Sequence, residues 1–220
     1  MLRAVARRLN ITLAVKRLVR DAAARLPELE HVDAGRLLVV VGEARRASRA
    51  TIRPVAPGGP GGPRIRVRGR EIRYVITLRP LWFLDSTPEA RVETVLHELW
   101  HASTRFDGRL HRGRRHGALP RLAFDRRVRG LRDRYLAEAP AEVLAPFGHR
   151  GLVRARMWLE RPAPARRDGG RTRRLYTERQ LFYGLVRMRQ PAPSSRRVPL
   201  PLRARPPRRV PRARLPVAAP

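Results

Sequence analysis

The sequence predicts an α+β domain: a small, mostly antiparallel sheet packed on one well-started helix, with a basic C-terminal extension. Three patterns predict it. Apolar and polar residues alternate with the period of a strand over residues 64–68 and 71–78. Apolar residues recur with the period of a helix over residues 2–26 and 119–139. Between these blocks, Ser86-Thr87-Pro88-Glu89 has the form of a helix start, with Ser86 as the cap, Glu89 three residues on, and Pro88 in the first turn.

In chain order, residues 2–26 carry Leu2, Val5, Leu9, Leu13, Val19, Ala22 and Leu26 with Arg and Lys between them, an amphipathic helix that packs on the domain. Residues 36–41 form a short apolar run that suits a buried strand and opens a sheet extending to residue 78. Residues 54–63 hold four glycines and four prolines, so they read as a loop. The sheet then resumes, with a turn at Gly69-Arg70. The helix begun near Ser86 covers residues 88–106, buries Val92, Val95, Leu96, Leu99, Ala102, Ser103 and Phe106, and ends at Asp107-Gly108. A second helix over 119–139 sets Leu122, Val128, Leu131, Tyr135 and Leu136 inward, and Pro140 and Pro146 break the chain after it.

Residues 1–146 thus make the domain, and 147–190 a basic extension. The extension has a strand over 152–160, a turn at Asp168-Gly169-Gly170, a hairpin partner over 171–176, and a short helix from Thr177 and Gln180 through Met188. Residues 191–220 contain nine prolines and eight arginines but no acid and no aromatic. They cannot bury a core and are expected to be disordered.

Composition removes several classes of function. There is no cysteine, which excludes disulfides, thiol catalysis and Cys-based zinc sites, and leaves histidine and carboxylate as metal ligands. No apolar run approaches a membrane span, and the N-terminus lacks the continuous apolar stretch of a signal peptide, so a cytoplasmic location is expected. Net charge is +32, and Lys16 is the only lysine among 50 basic residues. Arginine-codon bias accounts for the choice of Arg over Lys, but not for 18 acids against 50 bases. A field of that size attracts polyanions, which makes nucleic acid a candidate partner through the basic surface and the tail.

The chemistry concentrates at His97-Glu98-Leu99-Trp100-His101. On a helix, residues i and i+4 share a face, so two imidazoles at that spacing can chelate one zinc ion. Glu98 is then placed to act as general base, taking a proton from the water that the metal activates and passing it to a leaving amine. Four of the six histidines (His97, His101, His111 and His116) fall within twenty residues. His116 is the first choice of third ligand, being far enough along for the chain to turn and return. His111, Asp107, and Glu138 or Glu142 are the alternatives. Asp125 is a candidate to orient a ligating imidazole from behind.

The segments 72–78 and 86–89, the run Val95-Leu96-His97-Glu98-Leu99-Trp100-His101-Ala102 and the pair His116-Gly117 resemble the SprT-like minimal zincins, which include Spartan-type DNA-dependent proteases. Phe106-Asp107-Gly108 with the basic run behind it is similar to a group of uncharacterised prokaryotic metallopeptidase-like proteins. The likeness covers roughly residues 30–136, and the chain lacks the cysteine zinc ribbon common in SprT-like proteins. It implies a minimal zincin fold, with Zn2+ on His97, His101 and His116 and Glu98 as the catalytic residue. The expected activity is hydrolysis of peptide bonds in a protein or peptide substrate, near nucleic acid. Two other readings stand beside it: a zinc-dependent endoribonuclease, and a nucleic-acid-binding protein with a non-catalytic metal site.

Overall fold

The structure, a computed structural model, describes residues 8–43, 48–55, 63–162 and 174–190. Residues 2–7 of the expected N-terminal helix, most of the Gly/Pro loop, the turn at 168–170 and the tail from residue 191 lie outside the described residues. Within them the protein is mixed α+β, with five α-helices and three small sheets. No described helix is long and apolar enough to cross a membrane.

The central sheet has the order β1-β5-β2, with β1 at Leu37–Val41, β5 at Tyr74–Leu78 and β2 at Ala50–Pro54. β5 pairs in parallel with β1 and antiparallel with β2. The apolar run of β1 is buried at every position because both of its faces are covered. Leu37, Val39 and Val41 join a core with the helices, whereas Leu38 and Val40 face a second, smaller core with Ile65, Val67, Ile72 and Tyr176. Those residues come from β3 (Arg64–Val67), the loop after β4 (Arg70–Glu71), and β7 (Leu175–Tyr176), which joins β3 in parallel. The β3–β4 turn falls at Arg68-Gly69, one residue before the expected place. Both residues have positive φ, 50° and 74°, as a two-residue hairpin turn requires.

Helix α1 covers Ile11–Arg25, with the Asn10 side chain accepting from the Leu13 amide at 3.0 Å. It begins at Ile11 because Asn10 forms an isolated β-bridge with Arg154, whose amide donates to the Leu9 carbonyl at 2.7 Å. Its buried face runs through Ile11, Val15, Leu18, Val19 and Ala22, and Leu13 is exposed. After the short α2 (Pro80–Phe83), helix α3 spans Pro88–Trp100. Its cap is Thr87, not Ser86: Thr87 Oγ1 accepts from the Ala90 amide at 3.2 Å, while Ser86 Oγ donates back to the Phe83 carbonyl.

α3 ends six residues before the predicted residue 106. Ala102 bridges Leu110, Phe106 takes a left-handed φ of 48°, and Asp107 accepts from Ser103 Oγ and the Arg109 amide. These side-chain bonds give the backbone an alternative to helix. α4 (Arg121–Glu138) turns Phe124, Val128, Leu131 and Tyr135 inward, and Leu122, expected inside, is 70% exposed. The brief α5 (Ala141–Leu144) follows.

Two expectations for residues 147–190 are corrected. Residues 181–188 are not helix but strand β8 (Leu181–Met188), and the partner of β6 (Gly151–Trp158) is β8 rather than residues 171–176. The Thr177/Gln180 capping box does form, yet it opens only a single 3-10 turn. Phe182, Tyr183, Gly184 and Val186 are poor helix formers, and an eight-residue antiparallel ladder with β6 outweighs the cap. Val153, Ala155 and Met188 belong to the same core as α1, α3 and α4.

Helix α3 is held in place by Arg91, which is fully buried without a carboxylate partner. Its guanidinium donates to the carbonyls of Phe83 (3.1 Å), Leu84 (2.6 Å), Phe147 and Arg189. Replacing Arg91 by methionine strands the Phe147 and Arg189 carbonyls, while Phe83 keeps Ser86 Oγ and Leu84 keeps the Arg189 amide, and is expected to cost on the order of 3 kcal/mol, read from urea denaturation. An unchanged midpoint would show that this clamp contributes nothing.

Candidate metal centre

His97 lies in the last turn of α3, and His101 is its C-cap. The chain then folds back on itself: the Ser103 amide donates to the Arg109 carbonyl and the His111 amide to the His101 carbonyl at 2.9 Å. The Tyr74 hydroxyl holds this return, accepting from the Ser103 and Arg109 amides (3.3 and 3.1 Å) and donating to the Arg109 carbonyl (2.6 Å), which uses its full hydrogen-bonding capacity. A 3-10 turn at Arg112–Arg114 follows, and it delivers His116 beside the first two histidines. Gly117, with φ 91°, lets the chain leave in a direction that a side chain would oppose.

The three Nε2 atoms form a near-equilateral triangle. They stand 3.2 Å apart between His97 and His101, 3.2 Å between His101 and His116, and 3.3 Å between His97 and His116. An imidazole nitrogen directs its proton or lone pair along one line in the ring plane, so three such atoms cannot satisfy one another in a triangle. A metal ion can satisfy all three. Two nitrogens about 2.05 Å from a zinc ion at the tetrahedral angle are about 3.3 Å apart, the spacing found here. His101 Nδ1 donates to the Arg114 carbonyl at 2.6 Å, which leaves the lone pair on the Nε2 that faces the triangle. Burial, and after it the neighbouring His101 and His116, pulls His97 down to about 3, so its ring stays neutral and able to ligate at ordinary pH. The donor set therefore fits a metal ion.

Phe124 of α4 backs the whole triad, its ring centroid lying 5.2 Å from His97, 5.6 Å from His101 and 5.2 Å from His116. It keeps water from that side of the imidazoles. Glu98 points to the other side, where its Oε2 accepts from the Ile52 amide of β2 at 2.7 Å. Burial pushes its carboxyl up to about 7, against the opposing pull of the Ile52 amide and the Arg79 guanidinium. Histidines and glutamate line one cleft of ≈ 790 Å³, walled by residues 48–52 of β2 and its approach, with Arg79, Arg115 and Arg121 at its sides.

Among the described residues, His97, His101 and His116 are the one such cluster of candidate ligands. The other candidates are used elsewhere. Asp107 ties the Ser103–Arg109 turn, and His111 stands at the start of the 3-10 turn, outside the triad and without a capping side-chain bond. Asp125 pairs with Arg121, so the group orienting a ligand imidazole is the Arg114 carbonyl instead. Glu138 and Glu142 lie at the end of α4 and in α5, outside the cluster. Sequence reasoning missed Phe124, Ile52, Arg79 and Arg114. Of these only Phe124 carried a signal, standing two residues from the mistaken Leu122 on the same helix. Comparison with protein families, curated proteins and solved structures finds no match to this chain.

Two outcomes follow from this geometry. One metal ion should bind per chain, with His116→Ala losing at least tenfold in affinity and His111→Ala keeping it; competition with a chromogenic chelator reads both, and the reverse order would refute the triad. Glu98, raised from its ordinary 4.5 to about 7, destabilises the fold increasingly as pH rises from 4.5 through 7. In metal-free protein, Glu98→Gln should therefore be more stable than the parent by on the order of 2 kcal/mol at pH 8, and nearly equal to it at pH 5. A gap that does not grow with pH contradicts the burial argument.

Proposed function

We propose that the protein is a zinc-dependent metallopeptidase of the minimal zincin kind. The observation that carries this reading is the position of Glu98, a buried carboxyl tuned towards neutrality and opening on the same cleft as three converging imidazoles. Zinc in a three-histidine site with an open position supplies Lewis acidity to a carbonyl and lowers the pKa of water. The chain's own residues do the rest. Glu98 accepts the proton of the attacking water and returns it to the departing amine, a task suited to a group whose pKa lies near the working pH. The Ile52 amide holds the carboxylate in place through one oxygen, leaving the other for the proton.

β2 is the edge strand of the central sheet and borders the cleft. Arg49 and Val55 bond towards β5, so the intervening Ala50 and Ile52 turn their backbone groups the other way, to the cleft. There Glu98 takes the Ile52 amide and Ser48 Oγ the Ala50 carbonyl, so an added strand would meet the Ala50 amide and the Ile52 carbonyl. A peptide can lie along this edge as an added strand, its scissile bond carried past Glu98 and the histidines.

Nucleic acid is proposed as a partner rather than the substrate. A second groove of ≈ 840 Å³, sharing no residue with the metal cleft, is lined by Lys16 and six arginines, among them Arg17, Arg20, Arg68, Arg154 and Arg156, with no carboxylate in its lining. None of the seven side chains is in an ion pair among the described residues. Burial and then the charges of Arg156, Arg20 and Arg68 lower the pKa of Lys16, a sign of repulsion that a polyanion relieves.

The test is Glu98→Gln in the full chain loaded with zinc. Cleavage of casein, or of a protein bound to DNA, should fall by about a hundredfold or more while metal content stays constant. Activity near that of the parent would remove the general-base mechanism. Ribonuclease activity that survives the substitution would favour the nuclease reading instead, because that chemistry has no need of this glutamate.

A further inference from the structure

We propose that Arg79 is the substrate anchor of the metal cleft and that it reads a carboxylate, so the site selects peptides carrying one beside the bond to be cut. This rests on the peptidase reading above. Arg79 stands at the end of β5 and caps α2, where its amide donates to the Arg49 carbonyl and its carbonyl accepts from the Trp82 and Phe83 amides. Its backbone is thereby fixed to the sheet at one side and to a helix at the other.

Its side chain is treated differently. The residue is only 5% exposed, and Nε and Nη1 are buried without a hydrogen-bond partner. It is in no ion pair among the described residues. The charges that act on it are Glu98, which attracts it, and Arg161, which repels it. Glu98 is already held by the Ile52 amide, and Glu93, the other acid lining the cleft, accepts from Arg132.

A guanidinium always carries its charge, so it cannot escape burial by releasing a proton as a lysine can. Leaving its donors dry and unpaired is costly, and the natural remedy is a planar carboxylate. Arg91 shows the contrast within this same chain: it is equally hidden, but four carbonyls satisfy it. Arg79 has no such set, and it lines the cleft together with Arg49, Arg115 and Arg121, so the field there favours an anionic occupant. A carboxylate bound to Arg79 lies next to Glu98 and the histidines, where it fixes the position of the peptide on the β2 edge. The carboxylate can come from an acidic side chain or from a chain terminus.

Binding is measured on the full chain, zinc-loaded and carrying Glu98→Gln so that nothing is cut, by calorimetry at pH 7. The probes are an acetylated and amidated hexa-alanine with one central Asp, its Asn twin, and unsubstituted hexa-alanine ending in a free acid or an amide. The acid member of at least one pair should bind about tenfold or more tightly than its neutral twin, and the pair that discriminates identifies the source of the carboxylate. In Arg79→Met that discrimination should vanish, and in Arg79→Lys it should be largely lost.

The melting temperature supplies a control that a structural role cannot imitate. Removing an unpaired buried charge should leave Arg79→Met melting at or above the parent, whereas a fall of more than about 5 °C would mark Arg79 as part of the fold and overturn the proposal. Equal binding of both twins in both pairs, or discrimination that persists in Arg79→Met, overturns it as well. So does Arg79-dependent binding of a short oligonucleotide in preference to either acid. Discrimination without peptide cleavage by the parent chain leaves the anchor standing and removes the peptidase reading. Cleavage without discrimination does the opposite.

Discussion

A charged side chain in the middle of the core decides where the site-bearing helix can lie. Helix and strand ends leave carbonyls without partners, and a buried carbonyl must find a donor. Here several such ends meet at one point: the last turn of α2 at Phe83 and Leu84, the 3-10 turn at Phe147, and the exit of β8 at Arg189. One guanidinium, with five donors, reaches all of them, sharing the Phe83 carbonyl with Ser86 Oγ and the Leu84 carbonyl with the Arg189 amide. Because Arg91 belongs to α3, closing them also fixes the helix against segments from the middle and the end of the chain. His97 and His101 follow on that helix within three turns, so their positions are set by the same clamp. The segment after residue 147 is therefore tied to the frame of the site.

The second half of the site is fixed by a different device. His116 is delivered by a loop, and loops are positioned only as well as their anchors allow. Tyr74, from the central strand β5, reaches across with its hydroxyl and holds the loop at both of its legs, and Phe106 packs beside the same ring at 4.6 Å. The His101 imidazole then binds the Arg114 carbonyl. One histidine of the triad thus orients the turn that brings in another. Phe124 closes the far side with an apolar ring, so the imidazoles are dry on one face and open to the cleft on the other. Burial keeps His97 neutral and pushes the Glu98 carboxyl up to about 7, two effects of opposite sign on charge and of one cause.

Much of this was legible in the residues, and what was not has a common reason. The i, i+4 histidines, the helix start, the buried run of β1 and the fifteen-residue step to His116 are local patterns, and local patterns survive into the fold. The helical periodicity runs past Trp100, but the Ser103–Asp107 side-chain bonds, with the Tyr74 hydroxyl from a distant strand holding the Ser103 and Arg109 amides, turn the chain out of helix there. β8 reads as helix because its capping box is a local pattern, whereas its partner β6 is distant in sequence. Arg91 and Arg79 looked like two more arginines among 49. Nothing in spacing separates a guanidinium that clamps carbonyls from one that faces a cleft, since only the partners differ.

That difference also bears on the charge. A composition of +32 invites a single explanation, either codon bias or polyanion binding, and the fold accepts neither alone. Some arginines are matched by acids, such as Arg132 with Glu93 and Arg134 with Glu28. Arg91 replaces a hydrogen-bonding network, and the arginines of the groove beside Lys16 are left unmatched around one concavity. Codon bias has no means of sorting residues by partner, so it explains the supply of arginine and not its placement. Random placement would scatter unpaired cations over the convex surface, where water screens them cheaply. Here seven cations gather around one groove, and a buried guanidinium with two unpartnered nitrogens lines the cleft of the glutamate and the three histidines. Both of these concavities are thus lined by cations, which is what the anionic occupants proposed for them would meet.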